Sequence, residues 1–173
     1  DGTNTARVTI GVDVVLAPPR ITEFLASGSS GLTDSDGDDS DWIELENPNP
    51  YRLSLSGFFL TDDPGDRRKW PFPAATIPAG GRLVLFASGK DRRAADAELH
   101  TNFRLDADGE YLALTHGASA TVVQQFPENY PASKKFPAQR ADFSYGIGTN
   151  ELPGFFSPAT PGFPNGASYE GIV

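Results

Sequence analysis

The chain has no cysteine, no methionine and only two histidines. Without cysteine there is no disulfide framework and no thiolate metal site. His100 and His116 lack a histidine or cysteine partner at the spacing a zinc site needs. With no methionine, not even an initiator, the chain reads as a piece cut from a larger polypeptide. No run approaches the roughly 18 apolar residues needed to cross a bilayer, and no basic-then-apolar segment opens the chain as a secretory signal would. Positive charge is also scarce: 14 Lys and Arg stand against 23 Asp and Glu, for a formal net charge of -9. Phosphate backbones and anionic lipid surfaces are poor partners for such a protein, so neither nucleic-acid binding nor membrane insertion is expected. The same charge serves solubility.

Glycine and proline are plentiful, 18 and 15, and they fall singly at turn-like intervals. That punctuation favours many short strands over long helices. Twelve Phe, five Tyr and two Trp supply one main core, and a chain of 173 residues has room for one such domain with flanking segments. The isolated domain is expected to be monomeric.

The opening stretch 6–16 alternates and is rich in β-branched residues, then meets Ala17-Pro18-Pro19. It reads either as the last strand of a preceding β-domain, with residues 1–19 as strand and stiff linker, or as the first strand of this one. From residue 20 the pattern predicts strands at 21–26, 42–46, 53–55, 58–61, 82–87, 111–115 and 120–126, with one more at 141–146. A period of two puts Ile43 and Leu45 on one face and Trp42, Glu44 and Glu46 on the other. The run 82–87 is nearly all apolar, as in a strand buried on both sides. One helical turn is expected over 94–99. Residues 20–146 are thus assigned to an antiparallel β-sandwich. Residues 147–173, pinned by Pro153, Pro158, Pro161 and Pro164, are assigned to an irregular tail laid along it.

One dense constellation of chemistry stands out: Asp34-Ser35-Asp36-Gly37-Asp38-Asp39-Ser40-Asp41. Carboxylates at alternate positions around a glycine suit calcium, which seeks six or more oxygens about one point. Asp34, Asp36, Asp38 and Asp41 are the candidate ligands, with Glu44 outside them. The pattern departs from calcium loops at Asp39, where a glycine would stand, and Asp41 closes it one position early. The alternative is a solvated acidic turn whose side chains cap backbone amides. Asp62, Asp63 and Asp66 lie beside Arg67, Arg68 and Lys69, a mixture read as surface ion pairs. Trp42 and Trp70 are candidates for an exposed sugar-stacking platform, against the commoner role of aromatic packing. No nucleophile sits in a recognisable setting, Ser27-Gly28 and Ser88-Gly89 lacking the flanking glycines of a nucleophile elbow, so no catalytic residue is assigned.

Several motifs come in a fixed order. Asp41-Trp42-Ile43-Glu44-Leu45-Glu46-Asn47-Pro48 is followed by Ser56-Gly57-Phe58-Phe59-Leu60-Thr61-Asp62-Asp63. Then come Lys69-Trp70-Pro71-Phe72-Pro73, Ile77-Pro78-Ala79-Gly80-Gly81 and Leu83-Val84-Leu85-Phe86-Ala87. Together they resemble the bacterial form of the lamin tail domain, an immunoglobulin-like β-sandwich. The resemblance implies a non-catalytic interaction or spacer module of a larger secreted or cell-surface bacterial protein, with a protein or polysaccharide partner. A competing reading, drawn from the acidic loop and from Trp42 and Trp70, is a calcium-assisted carbohydrate-binding module serving an attached polysaccharide-active enzyme.

Overall fold

Residues 16–29 and 31–171 are described by the computed structural model, so most of the alternating stretch 6–16 lies outside the described residues. Among the described residues, short alternating runs between glycine and proline breaks form eleven strands: β1 (Arg20–Leu25), β2 (Trp42–Glu46), β3 (Leu53–Ser54), β4 (Phe58–Thr61), β5 (Trp70–Pro71), β6 (Thr76–Ile77), β7 (Arg82–Phe86), β8 (Leu112–His116), β9 (Thr121–Phe126), β10 (Ser144–Ile147) and β11 (Pro153–Phe156). All pairings between them are antiparallel. One sheet runs β11-β10-β1-β2-β7 and the other β5-β4-β8-β9, with β3 and β6 forming a small ribbon. There is no helix among the described residues; the helical turn expected at 94–99 is a single reverse turn closed by Ala97 N–H to the Ala94 carbonyl at 3.2 Å.

Between the two main sheets lies one core. Ile21, Phe24, Ile43, Leu45 and Leu85 come from the first sheet, and Leu60, Leu112, Leu114 and Phe126 from the second. Phe24 is its aromatic centre, edge-on to Phe126, Phe136 and Tyr145 with centroids 5.1, 4.9 and 5.8 Å away. Such edge contacts set the electropositive rim of one ring against the face of the next.

Parts of both outer faces are covered as well, and this departs from the simple in-and-out alternation. On the first sheet, a bulge between Ile21 and Glu23 sends Thr22 and Glu23 to the outer side together. Segment 157–165 crosses that side. Glu23 accepts from the Thr160 N–H and hydroxyl at 3.0 and 2.8 Å and from the Ser144 hydroxyl, and Glu44 accepts from Gly162 N–H at 2.6 Å. On the second sheet, loop 62–68 covers Thr61 and Thr115. Their hydroxyls donate to the carbonyls of Asp63, Asp66 and Arg67 at 2.7 to 2.9 Å for Thr61 and 2.6 Å for Thr115.

The assignment of 147–173 to an irregular tail needs correction. Pro153–Phe156 pairs with β10 along its whole length, and Phe155 exchanges backbone hydrogen bonds with Tyr169 beyond it. Apolar Phe155 and Phe156, both buried, make this strand despite the prolines around it, since Pro153 occupies its first position where a missing N–H is tolerated. The strand expected at 141–146 sits three residues later at its start.

Candidate functional site

The acidic loop folds on itself before it meets anything else. Asp34 N–H donates to the Asp38 carbonyl at 3.0 Å, and Gly37 N–H to the Asp34 carbonyl at 2.9 Å. Gly37 takes a φ of +84°, which a glycine adopts without penalty. One Asp34 carboxylate oxygen caps the turn, accepting from the N–H groups of Asp36 and Asp38 at 3.0 and 3.1 Å. The result aims one oxygen each of Asp34, Asp36 and Asp38 at a common point, all within 4.8 Å of one another.

That point is filled by Lys90. Its Nζ lies 2.6 Å from Asp34 Oδ2, 2.6 Å from Asp36 Oδ2 and 2.8 Å from Asp38 Oδ2. An ammonium has three N–H donors, and here each has a carboxylate acceptor. Arg92 adds a two-pronged contact to Asp36 at 2.7 and 3.2 Å. Asp34 is buried, and burial alone would raise its pKa. The hydrogen bonds from Lys90, Ser40 and two backbone amides outweigh that and hold it well below the usual carboxylate range. The same aspartates push the Lys90 ammonium above its ordinary value.

Lys90 is placed by a second chain of hydrogen bonds that sequence spacing did not reveal. Strand-like pairing of Arg92 with His100 closes a hairpin, each N–H meeting the other's carbonyl at 3.0 and 2.9 Å. Inside it the Ser88 hydroxyl lies 2.8 Å from His100 Nδ1, and His100 Nε2 lies 2.9 Å from Glu98 Oε1. Glu98 in turn accepts from the Ser35 N–H at 2.8 Å, and the Ser88 hydroxyl accepts from the Lys90 N–H at 3.3 Å. Serine, histidine and carboxylate in line are the parts of an activated nucleophile. Here the serine and histidine are buried, 4% and 0% exposed, with the Phe86 ring stacked on the imidazole at 5.4 Å, while the Glu98 side chain is 31% exposed. The geometry closes a ring from the acidic loop through Lys90, Ser88, His100 and Glu98 back to Ser35.

Asp41 and Glu44 stand apart from this group. Asp41 faces Leu105 N–H at 3.2 Å, and burial lifts its pKa to about 6 against the pull of that amide and of Arg104. Glu44 belongs to the outer face of the first sheet. It accepts from the Thr22 hydroxyl at 2.6 Å, Arg82 Nε at 3.1 Å and Gly162, and burial raises its pKa. Three of the four expected metal ligands therefore share one focus and the fourth does not.

The expectation of an exposed tryptophan platform is overturned. Trp42 is 1% and Trp70 0% exposed. Trp42 does point to the outer face as its alternation requires, but Leu25 and Phe86 flank it across the strands and Ala159 of the covering segment packs against the cluster. Trp70 lies in the main core beside Phe72, with its indole N–H given to Asp91 at 3.2 Å. Neither ring offers a face to a sugar. Of the mixed charges at 62–69, Lys69 pairs with Asp62 at 2.6 Å as expected, while Arg68 lies over the Phe59 ring at 5.9 Å.

No curated protein and no solved structure matches the chain. Residues 17–127 match the Lamin Tail Domain family, and β10 and β11, which lie beyond the match, complete the first sheet. The matched region covers more than half of the chain and encloses β1 to β9 of the all-β sandwich, so the protein belongs to the lamin tail domain family, with its immunoglobulin-like architecture.

Proposed function

We propose that this domain is a non-catalytic interaction and spacer module of a larger bacterial protein, secreted or held at the cell surface, that engages a protein or polysaccharide partner. The observation that carries this reading is the internal use of its chemistry. The side chains able to bind or react, Asp34, Asp36, Asp38, Lys90, Ser88 and His100, are joined to one another, and Glu23 and Glu44 hold the covering segment down. Side chains so engaged support a fixed shape rather than turnover, because a reacting group must be reachable by its substrate. The buried tryptophans weigh against the carbohydrate-module reading in its stacking form.

The test compares the parent protein with a version lacking this domain. Retention on the cell surface, or on the parent's protein or polysaccharide partner, is expected to fall, while the specific activity of any neighbouring catalytic domain stays unchanged. Turnover of chromogenic esters, phosphates or glycosides by the isolated domain would overturn the proposal.

A further inference from the structure

We infer that the Lys90 ammonium is a built-in cation that orders the acidic loop 34–38 in place of a divalent metal ion. Three observations carry this. The focus of the three carboxylates is taken: Nζ sits 2.6 to 2.8 Å from one oxygen of each, and its three donors match their three acceptors. The charge is nearly balanced, since Lys90 and Arg92 leave the three aspartates with one net negative charge, where a calcium loop keeps its full anionic attraction for the ion. Finally, Lys90 is not a long side chain that happens to reach over. Its backbone is fixed through Ser88, His100 and Glu98 to Ser35 of the same loop, so the cation and its cage are held by one ring of hydrogen bonds.

The consequence is that the domain's stability is independent of divalent cations, and that removing the ammonium uncovers a latent oxygen cage. Calcium would have to displace Lys90, and its remaining ligands would have to come from water or backbone carbonyls and not from Asp41, which is turned toward Leu105.

The whole chain, purified through a chelator, is titrated with calcium by calorimetry and melted with and without about 5 mM calcium, above the roughly 10⁻³ M ceiling for weak extracellular calcium modules. Wild type is expected to give no binding heat and no change in Tm. Lys90→Met, close to lysine in length but uncharged, is expected to melt about 3–6 °C lower in chelator. Calcium should restore part of that loss. A calcium-dependent rise in the wild-type Tm, or a Lys90→Met protein that melts like wild type or ignores calcium, would overturn the inference. The wild-type titration is decisive even if the variant folds only with calcium present, an outcome that itself supports the inference.

Discussion

Gly146 shows how one residue can set the geometry of two strands. It lies opposite Glu23 in the β1–β10 pairing, where the bulge carries the Thr22 carbonyl toward β10. A methyl group on Gly146 would fall on the Thr22 carbonyl oxygen, with Glu23 Cα 2.7 Å away, and backbone cannot retreat as a side-chain tip can. Gly37 is the useful contrast: its φ of +84° disfavours other residues, but nothing lies within 4 Å of its missing methyl. Gly37→Ala is therefore expected to cost about 1 kcal/mol through backbone strain alone. Gly146→Ala should cost about 2–4 kcal/mol through overlap. Urea midpoints at unchanged m would check the order, and equal losses would refute the role given to the bulge. The glycine was visible in the sequence. The bulge that makes it necessary was not, because a bulge is a property of two strands at once.

Among elements, the segment 157–165 carries the most weight for its lack of regular structure. It places Thr160 and Gly162 over Glu23 and Glu44 and Ala159 against Trp42, so two acids and an indole are buried by a stretch that is itself neither strand nor helix. Ending the chain after Phe156 would leave both glutamates without these donors and uncover the apolar row Leu25, Trp42 and Phe86. In a Trp70→Phe background, which leaves Trp42 as the lone indole, this truncation is expected to shift tryptophan emission to the red and lower the midpoint of urea unfolding. Unchanged emission would show that the segment does not bury Trp42 in solution. This element also marks the limit of what the sequence revealed. The strands could be read from local alternation, and Ile43 and Leu45 fell on the core face as their period required. What covers the other face depends on a contact made more than a hundred residues away, and no local pattern encodes it. Hence Trp42 and Glu44 lie on the side their alternation predicts, while the exposure expected of Trp42 is wrong. The candidate site divided in the same way. Asp34, Asp36 and Asp38 share a focus because a local turn builds it, whereas Lys90, over fifty residues on, could not be paired with them from spacing.

At the scale of the whole molecule, the net charge of -9 and the distribution of perturbed acids together set a pH optimum. Glu110 is raised to about 7, chiefly by burial, with the charges of Asp62 and Asp106 adding to it and the Asp106 N–H opposing. Asp41 is raised to about 6 by burial. An acid whose pKa is higher folded than unfolded binds its proton more tightly in the native state. Its stabilisation is complete below the unfolded value and is lost as pH rises through the folded one. Both groups therefore make the protein more stable as pH falls from 8 toward 5, and the shrinking negative charge acts in the same direction. Below about 4 the sign reverses. Asp34, Asp36 and Glu98 are held below their usual values by the Lys90 and Arg92 contacts and the Ser35 amide, so the stability they lend is present at pH 5 and is lost in stronger acid. Maximal stability is expected near pH 5. Glu110→Gln isolates one contribution, because an amide oxygen can still accept from Asp106 N–H at the 2.9 Å seen for the carboxylate, without the buried charge. It should stabilise the protein by about 1–2 kcal/mol at pH 8, and the gain should shrink to about a quarter of that at pH 5. Urea melts of both proteins across that range would check this, and a constant difference between them would show that Glu110 acts through packing and not through its proton.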